Sequence, residues 1–393
     1  MNDSSKPNIS TNGSYGGRKK DYSRCKSENV CVGFIYDENL LEETEKIPNI
    51  GARNKMVTAL IEAYNIIPSM KCIDSVPATE DELTSFHAQS YIEYLKSVED
   101  DDVEPESHLE FGLGYDCPPL PDLYRFVISI AGGTLTAVRQ LTSRRVQVAV
   151  NWCGGWHHAQ RDEAEGFCYI NDIVLGIEEL RKEFPYVLYI DLDIHHGNGV
   201  ENAYSYTRRV LTLSFHKYEP GFYPTTGALT DRGEGPGIHY AVNVPLKEGL
   251  TDSDLILLFD KIAVVAKTRY CPDAVVVQCG ADGLTGDPVG NWNLTPVGLG
   301  HCLSTVLSWK LPTLVLGGGG YNKANTARCW TYLTSVICNK KLPDEIPDNP
   351  YFSEFGPGFD LEILPSNAPN MNKNLDQLID ALLENLADIE DQH

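Results

Sequence analysis

The chain has 393 residues, 42% hydrophobic and 9% aromatic, enough apolar material for a sizeable core and too much for wholesale disorder. Its 32 basic and 55 acidic residues leave a net charge of −23, a sign that phosphate backbones repel, so direct nucleic-acid binding is not expected. No apolar run approaches the roughly 18 residues of a membrane-spanning helix, and the opening residues lack the apolar stretch of a secretory leader, so a soluble chain inside the cell, without a membrane partner, is expected.

Residues 1–28 are rich in Ser, Asn, Gly and Lys without hydrophobic period, which predicts a disordered N-terminal segment. Within it, Arg18-Lys19-Lys20 is a brief candidate nuclear address. Short β-branched runs then recur: VCVGFIYD (30–37), VQVAV (146–150), VLYIDLD (187–193), VLTLSF (210–215), DAVVVQCGAD (273–282) and PTLVLGGGG (312–320). Between them, helical spacing predicts helices over 123–141, 170–184, 253–270 and 325–339. The runs are continuous rather than alternating, as in strands covered on both faces. An α/β single domain over 29–393 is therefore predicted, with a mostly parallel central sheet and helices on both faces. A closing helix is predicted at about 373–389, where Leu375, Leu378, Ile379, Leu382, Leu383, Leu386 and Ile389 share one face. The 11 cysteines form no CxxC pair, and several sit in apolar strings, as expected of reduced thiols in a reducing compartment.

Ligands of open parallel sheets bind beyond the carboxyl ends of the strands. Five of the ten histidines (His157, His158, His195, His196, His216) fall in three strand tails, with Asp191, Asp193 and Asp282 nearby, which points to a metal or acid–base site. Asp193 and His195, at i and i+2, turn to one side of an extended chain. Asp282, after Gly280 and Ala281 on another strand, can add a third ligand. Three protein ligands leave a divalent ion with open positions, the arrangement of a catalytic site. One imidazole and two carboxylates suit zinc first and iron(II) second. His157 and His158 supply imidazoles that titrate near neutrality. Tyr321 follows four glycines, where backbone can approach a ligand, but the run lacks the Lys-Ser/Thr of a phosphate loop, so no nucleotide site is expected.

Together, NWCGGWHHA, EGFCYIND, YIDLDIHHGNGV, GADGLTGDP and LGGGGYN, with KIPNIGARNKMV and FGLGYDCP, resemble the metal-dependent histone deacetylase family, class I, over about residues 30–390. The resemblance implies the arginase/deacetylase fold and hydrolysis of N-ε-acetyl-lysine on histones and other proteins, in nucleus and cytoplasm, with release of acetate. Carried across by motif, it implies Asp193, His195 and Asp282 as metal ligands and His157 and His158 as the paired imidazoles. Asp191 would hold the first imidazole, Asn198 the second, and Tyr321 would donate to the substrate carbonyl. Trp156, Gly166, Phe167 and Tyr223 would shape a tunnel for the lysine stem, with Val289 at its rim, Asp116 receiving substrate backbone N–H groups and Arg53 in the inner channel. A potassium ion would sit near Asp191, Asp193, His195, Ser214 and Phe215. Acetylated basic tails such as those of histones are the implied partners, and hydroxamate-type chelators the implied inhibitors.

Three positions depart from the family pattern. Asn198 stands where class I usually reads HHGDG, so the partner of His158 is a neutral amide. Tyr223 replaces the usual phenylalanine, adding a hydroxyl at the tunnel mouth, and Val289 replaces a larger methionine or leucine, widening it. The acidic string EDDDVEPESHLE (99–110) precedes FGLGYDCP and is a candidate for steering basic tails. Polyamine deacetylation and an arginase-like reaction are the competing enzymatic readings. The second lacks the aspartates for a second metal. A silent binding module would need no set of ligands, imidazoles and tyrosine.

Overall fold

The computed structural model describes residues 31–98, 105–114 and 116–389. The segment expected to be disordered (1–28), its basic run, residues 99–104 of the acidic string and Tyr115 lie outside the described residues.

Eight strands form one sheet: β1 (Val32–Ile35), β2 (Lys71–Ile73), β3 (Val148–Asn151), β4 (Val187–Asp191), β5 (Val210–Lys217), β6 (Ala241–Leu246), β7 (Ala274–Gln278) and β8 (Thr313–Leu316). The order is β2-β1-β3-β8-β7-β4-β5-β6, and every pairing is parallel. Twelve helices accompany it among the described residues: α1 (Glu38–Glu45), α2 (Arg53–Ala63), α3 (Glu80–Leu83), α4 (Gln89–Ser97), α5 (Pro105–Glu110), α6 (Leu123–Thr142), α7 (Asp172–Arg181), α8 (Asn198–Tyr204), α9 (Asp252–Tyr270), α10 (Pro296–Ser308), α11 (Lys323–Ile337) and α12 (Leu375–Ala387).

Why both faces are covered follows from the two-residue repeat of a strand. Leu188 and Ile190 of β4, with Val275 and Val277 of β7, enter one core, which α2, α9, α10, α11 and α12 complete. Val187 and Tyr189 of β4, with Ala274 and Val276 of β7, enter the other, built with α4, α6 and α7. Burial of this kind is worth roughly 1.5–3 kcal/mol for each large aliphatic side chain. Local signals set the ends of the helices. The Thr295 side chain caps α10 by accepting from the Val297 N–H, with Pro296 in the first turn. α9 begins with Asp252 and Asp254 and ends with Lys267 and Arg269, charges that suit its dipole.

The six expected strands and five expected helices are present. Strands β2 and β6 are additional edge strands. β2 has only three residues, and in AVNVPL of β6 Asn243 and Pro245 break the apolar run; Pro245 is tolerable because β6 is an edge. α12 packs Ile379, Leu382 and Leu386 into the first core. The ten described cysteines are free thiols.

The strand order matters most for function. β3, β8, β7, β4 and β5 are consecutive neighbours, so their carboxyl-end tails, which carry the candidate residues, lie side by side at one edge of the sheet.

Candidate active site

The first tail leaves β3 at Asn151 and turns sharply through Gly154 and Gly155. Buried Asp172, at the start of α7, holds that turn: its carboxylate accepts the Trp156 N–H at 2.8 Å, the Gly155 N–H at 3.1 Å and the Thr134 hydroxyl at 2.5 Å. His157 and His158 are thereby delivered to the sheet edge, both buried, with ring centroids 4.0 Å apart.

The tails of β4 and β7 supply the charged groups. Asp193, His195 and Asp282 are buried and offer ligand atoms all within 4.8 Å of one another. His195 Nδ1 lies 3.1 Å from Asp193 Oδ1 and 3.0 Å from Asp282 Oδ2. Each carboxylate is aimed by the chain itself. Asp193 accepts the Gln278 side-chain amide and the Gly319 N–H, each at 2.9 Å, and Asp282 accepts the Ile194 N–H at 3.0 Å. A Cβ at Gly319 would come within 2.0 Å of an Asp282 oxygen, so the glycine run lets the loop close over the ligands. The trio fits a single divalent ion: three buried donors of mixed nitrogen and oxygen type, preset by hydrogen bonds before any ion arrives.

The two imidazoles differ. His157 Nδ1 is 2.8 Å from Asp191 Oδ2; burial opposes its charge, yet Asp191 and Asp193 outweigh that and raise it to about 9. His158 Nδ1 is 2.8 Å from Asn198 Oδ1; burial, then the neighbouring His157 and His195, push its pKa well below 6.5, so it is neutral and able to accept a proton. Tyr321 comes from the tail of β8. Burial and the charges of Asp282 and Asp193 push its phenol well above the usual range, which keeps it a hydrogen-bond donor.

These groups border one slot with about 340 Å³ of unfilled space, mouth included. Of the sequence candidates, Trp156, His157, His158, Gly166, Phe167, Asp193, His195 and Tyr321 line it, joined by Ile50, Gly155, Cys168, Gly318 and Gly319. Asp282, Asp191 and Asn198 stand behind the lining as buried partners. Asp116 is half-buried and its carboxylate accepts the Gly166 N–H at 2.9 Å. Arg53 lies behind the glycine loop, where its guanidinium donates to the carbonyls of Gly318 and Gly320, each at 3.0 Å; burial lowers its pKa to about 10. Val289 is 43% exposed on the loop after Asp287. Ser214 pairs in register with Asp191, with Phe215 next along β5.

One expectation is corrected. His196 and His216 do not reach the slot. His196 follows His195 directly and turns the other way, and His216 lies inside β5 rather than beyond it, so the two rings pack on each other at 4.6 Å behind the site. The Tyr223 hydroxyl is engaged within the protein: it donates to Glu165 Oε1 at 2.8 Å, while its ring stands edge-on to His158.

Four residues escaped the sequence reading. Asp172 and Gln278 are described above, and Glu165 accepts from Asn198 as well as from Tyr223. Asp287 accepts the N–H groups of Tyr321 at 2.7 Å and Asn322 at 3.0 Å, fixing the loop that carries the phenol. The only signal for Asp287 was its place in a Gly-Asp-Pro turn, since such side chains commonly bond backbone.

The chain is similar to known proteins over most of its length. A family model described as "Histone deacetylase domain" matches residues 48–337. Histone deacetylase 8 of Danio rerio is 44% identical over 374 residues, covering 94% of this chain and 99% of its own length. Histone deacetylase 8 of Xenopus laevis is 48% identical over 313 residues, 79% of this chain and 96% of its own. Histone deacetylase 1 of Homo sapiens is 44% identical over 338 residues, 85% of this chain and 70% of its own.

Proposed function

The chain belongs to the histone deacetylase family and is a protein lysine deacetylase, and on that premise we propose zinc-dependent hydrolysis of N-ε-acetyl-lysine on histone tails and other proteins. The carrying observation is that Asp193, His195, both imidazoles and Tyr321 border one slot, with Asp282 completing the ligand trio. A divalent ion bound by that trio, zinc first and iron(II) second, supplies Lewis-acid polarisation of the scissile carbonyl and acidifies water.

The chain's own groups do the rest. The slot seats the apolar lysine stem between Phe167 and the neighbouring wall. Neutral His158 accepts the proton of the attacking water. The Tyr321 phenol donates to the carbonyl oxygen as negative charge develops there, an interaction that strengthens toward the transition state. His157, held charged by Asp191, keeps a proton near the nitrogen of the departing lysine, and protonation of that amine releases acetate and free lysine. Asp116 and the acidic surface favour a basic polypeptide as substrate. The oxygens of Asp191, Asp193, His195, Ser214 and Phe215 suit potassium, supported by the register that sets Ser214 beside Asp191. Residues 29–393 would act as one catalytic domain, in the nucleus and on further acetylated proteins in the cytoplasm.

The test is turnover of acetyl-lysine peptides, longer acyl-lysine peptides and acetylated polyamines by protein stripped of metal and refilled with one ion at a time. Fastest release of acetate from the acetyl-lysine peptide by the zinc-loaded protein is expected. Preference for a polyamine or a longer acyl chain would overturn the substrate assignment.

A further inference from the structure

The hydrogen-bond chain behind His158 does not end at Asn198. Asn198 Nδ2 donates to both oxygens of Glu165, at 2.9 and 3.1 Å, while its Oδ1 faces His158 Nδ1 at 2.8 Å. We propose that Glu165 is the positioning residue for His158: acting through Asn198, it decides which ring nitrogen carries the hydrogen and which presents a lone pair to the slot. This inference rests on the role given to His158 above.

A carboxamide has an acceptor at one end and a donor at the other, and nothing in Asn198 itself prefers either orientation. A carboxylate only accepts, so Glu165 draws the NH₂ end and leaves the amide oxygen toward His158. An amide oxygen also only accepts, so His158 Nδ1 carries the hydrogen and Nε2 carries the lone pair. With the amide reversed, Nδ1 would become the acceptor and Nε2 would be blocked by its own hydrogen. The negative group thus sits one side chain beyond the partner of the imidazole, and the amide relays it.

Glu165 is itself well anchored. Glu165 and Cys168 exchange backbone hydrogen bonds at 3.0 and 2.8 Å across a two-residue turn whose central residues, Gly166 and Phe167, have φ of +57° and +66°. A Cβ at Gly166 would come within 2.5 Å of the His158 ring, so only glycine allows this turn to pass so close. Gln160 Nε2 at 2.7 Å and the Tyr223 hydroxyl at 2.8 Å complete the carboxylate's donors. Each of these donors is a neutral group, and no cationic partner pairs with Glu165 among the described residues. The same turn places Phe167 in the slot wall, so one local structure sets both the wall and the base.

The test is a double-mutant cycle on the full-length, metal-loaded protein with an acetyl-lysine peptide, read as kcat and KM. Glu165→Gln is expected to lower kcat roughly 10–100-fold, with KM within about threefold of the original. Asn198→Asp alone sets two carboxylates against each other and is expected to lower kcat as well. In the Glu165→Gln background the same Asn198→Asp change supplies a direct carboxylate partner and is expected to raise kcat at least about tenfold. Equal effects of Asn198→Asp in both backgrounds would overturn the proposal.

Spectra of protein carrying 15N-labelled histidine, with His158 identified by its loss in His158→Gln, give a second reading. A single Nδ1–H tautomer is expected in the unaltered chain and a mixture in Glu165→Gln; an unchanged tautomer would refute the relay. If the unaltered protein turned over no acetylated peptide, the proposed function would fall, while the spectra would still decide the role of Glu165.

Discussion

Among the described residues two groups of buried histidines lie next to each other, and they differ in what their rings have left unpaired. At the front, His158 has one ring nitrogen on Asn198 and no protein partner for the other among the described residues, and His195 shares its Nδ1 between two carboxylates. Behind, both nitrogens of each ring are consumed: His196 by Thr226 and Glu201, and His216 by Ser214 and the Gly227 carbonyl. The lesson is that a histidine becomes a functional candidate through what its ring has left to give. Adjacent residues such as His195 and His196 can fall on opposite sides of that distinction.

Substitution breaks the comparison open. His158→Ala at the front is expected to lower kcat roughly 10²–10⁴-fold, the range for loss of a general base, with thermal unfolding little changed. His196→Gln at the back should do the reverse, costing about 1–3 kcal/mol in urea unfolding because Thr226 and Glu201 lose a buried partner. Tyr321→Phe at the front removes the phenolic donor while keeping the ring against Phe167, and is expected to cost roughly 10²–10³ in kcat. Metal content measured on the same samples should be unchanged by either front substitution.

A third buried histidine sharpens the comparison with pH. His87 Nδ1 donates to the Arg161 carbonyl and its Nε2 accepts the Asn171 N–H, both at 3.1 Å, so the fold requires it neutral. Burial lowers its pKa from 6.5 to about 3. Between those values the unfolded chain binds a proton that the folded chain refuses, so the His87 contribution is present above pH 6.5 and is lost as pH falls toward 3. From pH 7 to pH 5.5, unfolding of the unaltered protein should lose about 1 kcal/mol more stability than unfolding of His87→Gln. Equal losses would contradict the assignment. The smallest effect is expected from Tyr223→Phe. It removes one of several donors to Glu165 and should change kcat by about threefold or less, because the Asn198 bond remains.

What the sequence made readable was whatever repeats with a short period. Asp193 and His195 share a face because a strand repeats every two residues, and α6, α7, α9 and α11 followed from helical spacing. The ligand trio could be gathered because the tails of a parallel sheet converge at its carboxyl edge. What stayed hidden acts across long separations on backbone or on other polar side chains. Asp172 holds the turn before His157, Asp287 holds Tyr321, and Gln278 steadies Asp193, none with a periodic signature. Glu165 has no sequence signal of its own, because only the turn at Gly166 brings it to Asn198. Asn198 is the neutral partner of His158 that the sequence indicated, and Glu165 stands one hydrogen bond beyond it.

The central claim is that one divalent ion, gripped by Asp193, His195 and Asp282, makes this slot a deacetylase. Its most direct test is to titrate zinc into metal-stripped protein while following bound metal and acetate released from an acetyl-lysine peptide. Both signals are predicted to rise together and level off at one ion per chain, and in Asp282→Asn both should fall. Full acetate release with no ion bound, or saturation only at two ions per chain, would contradict the account.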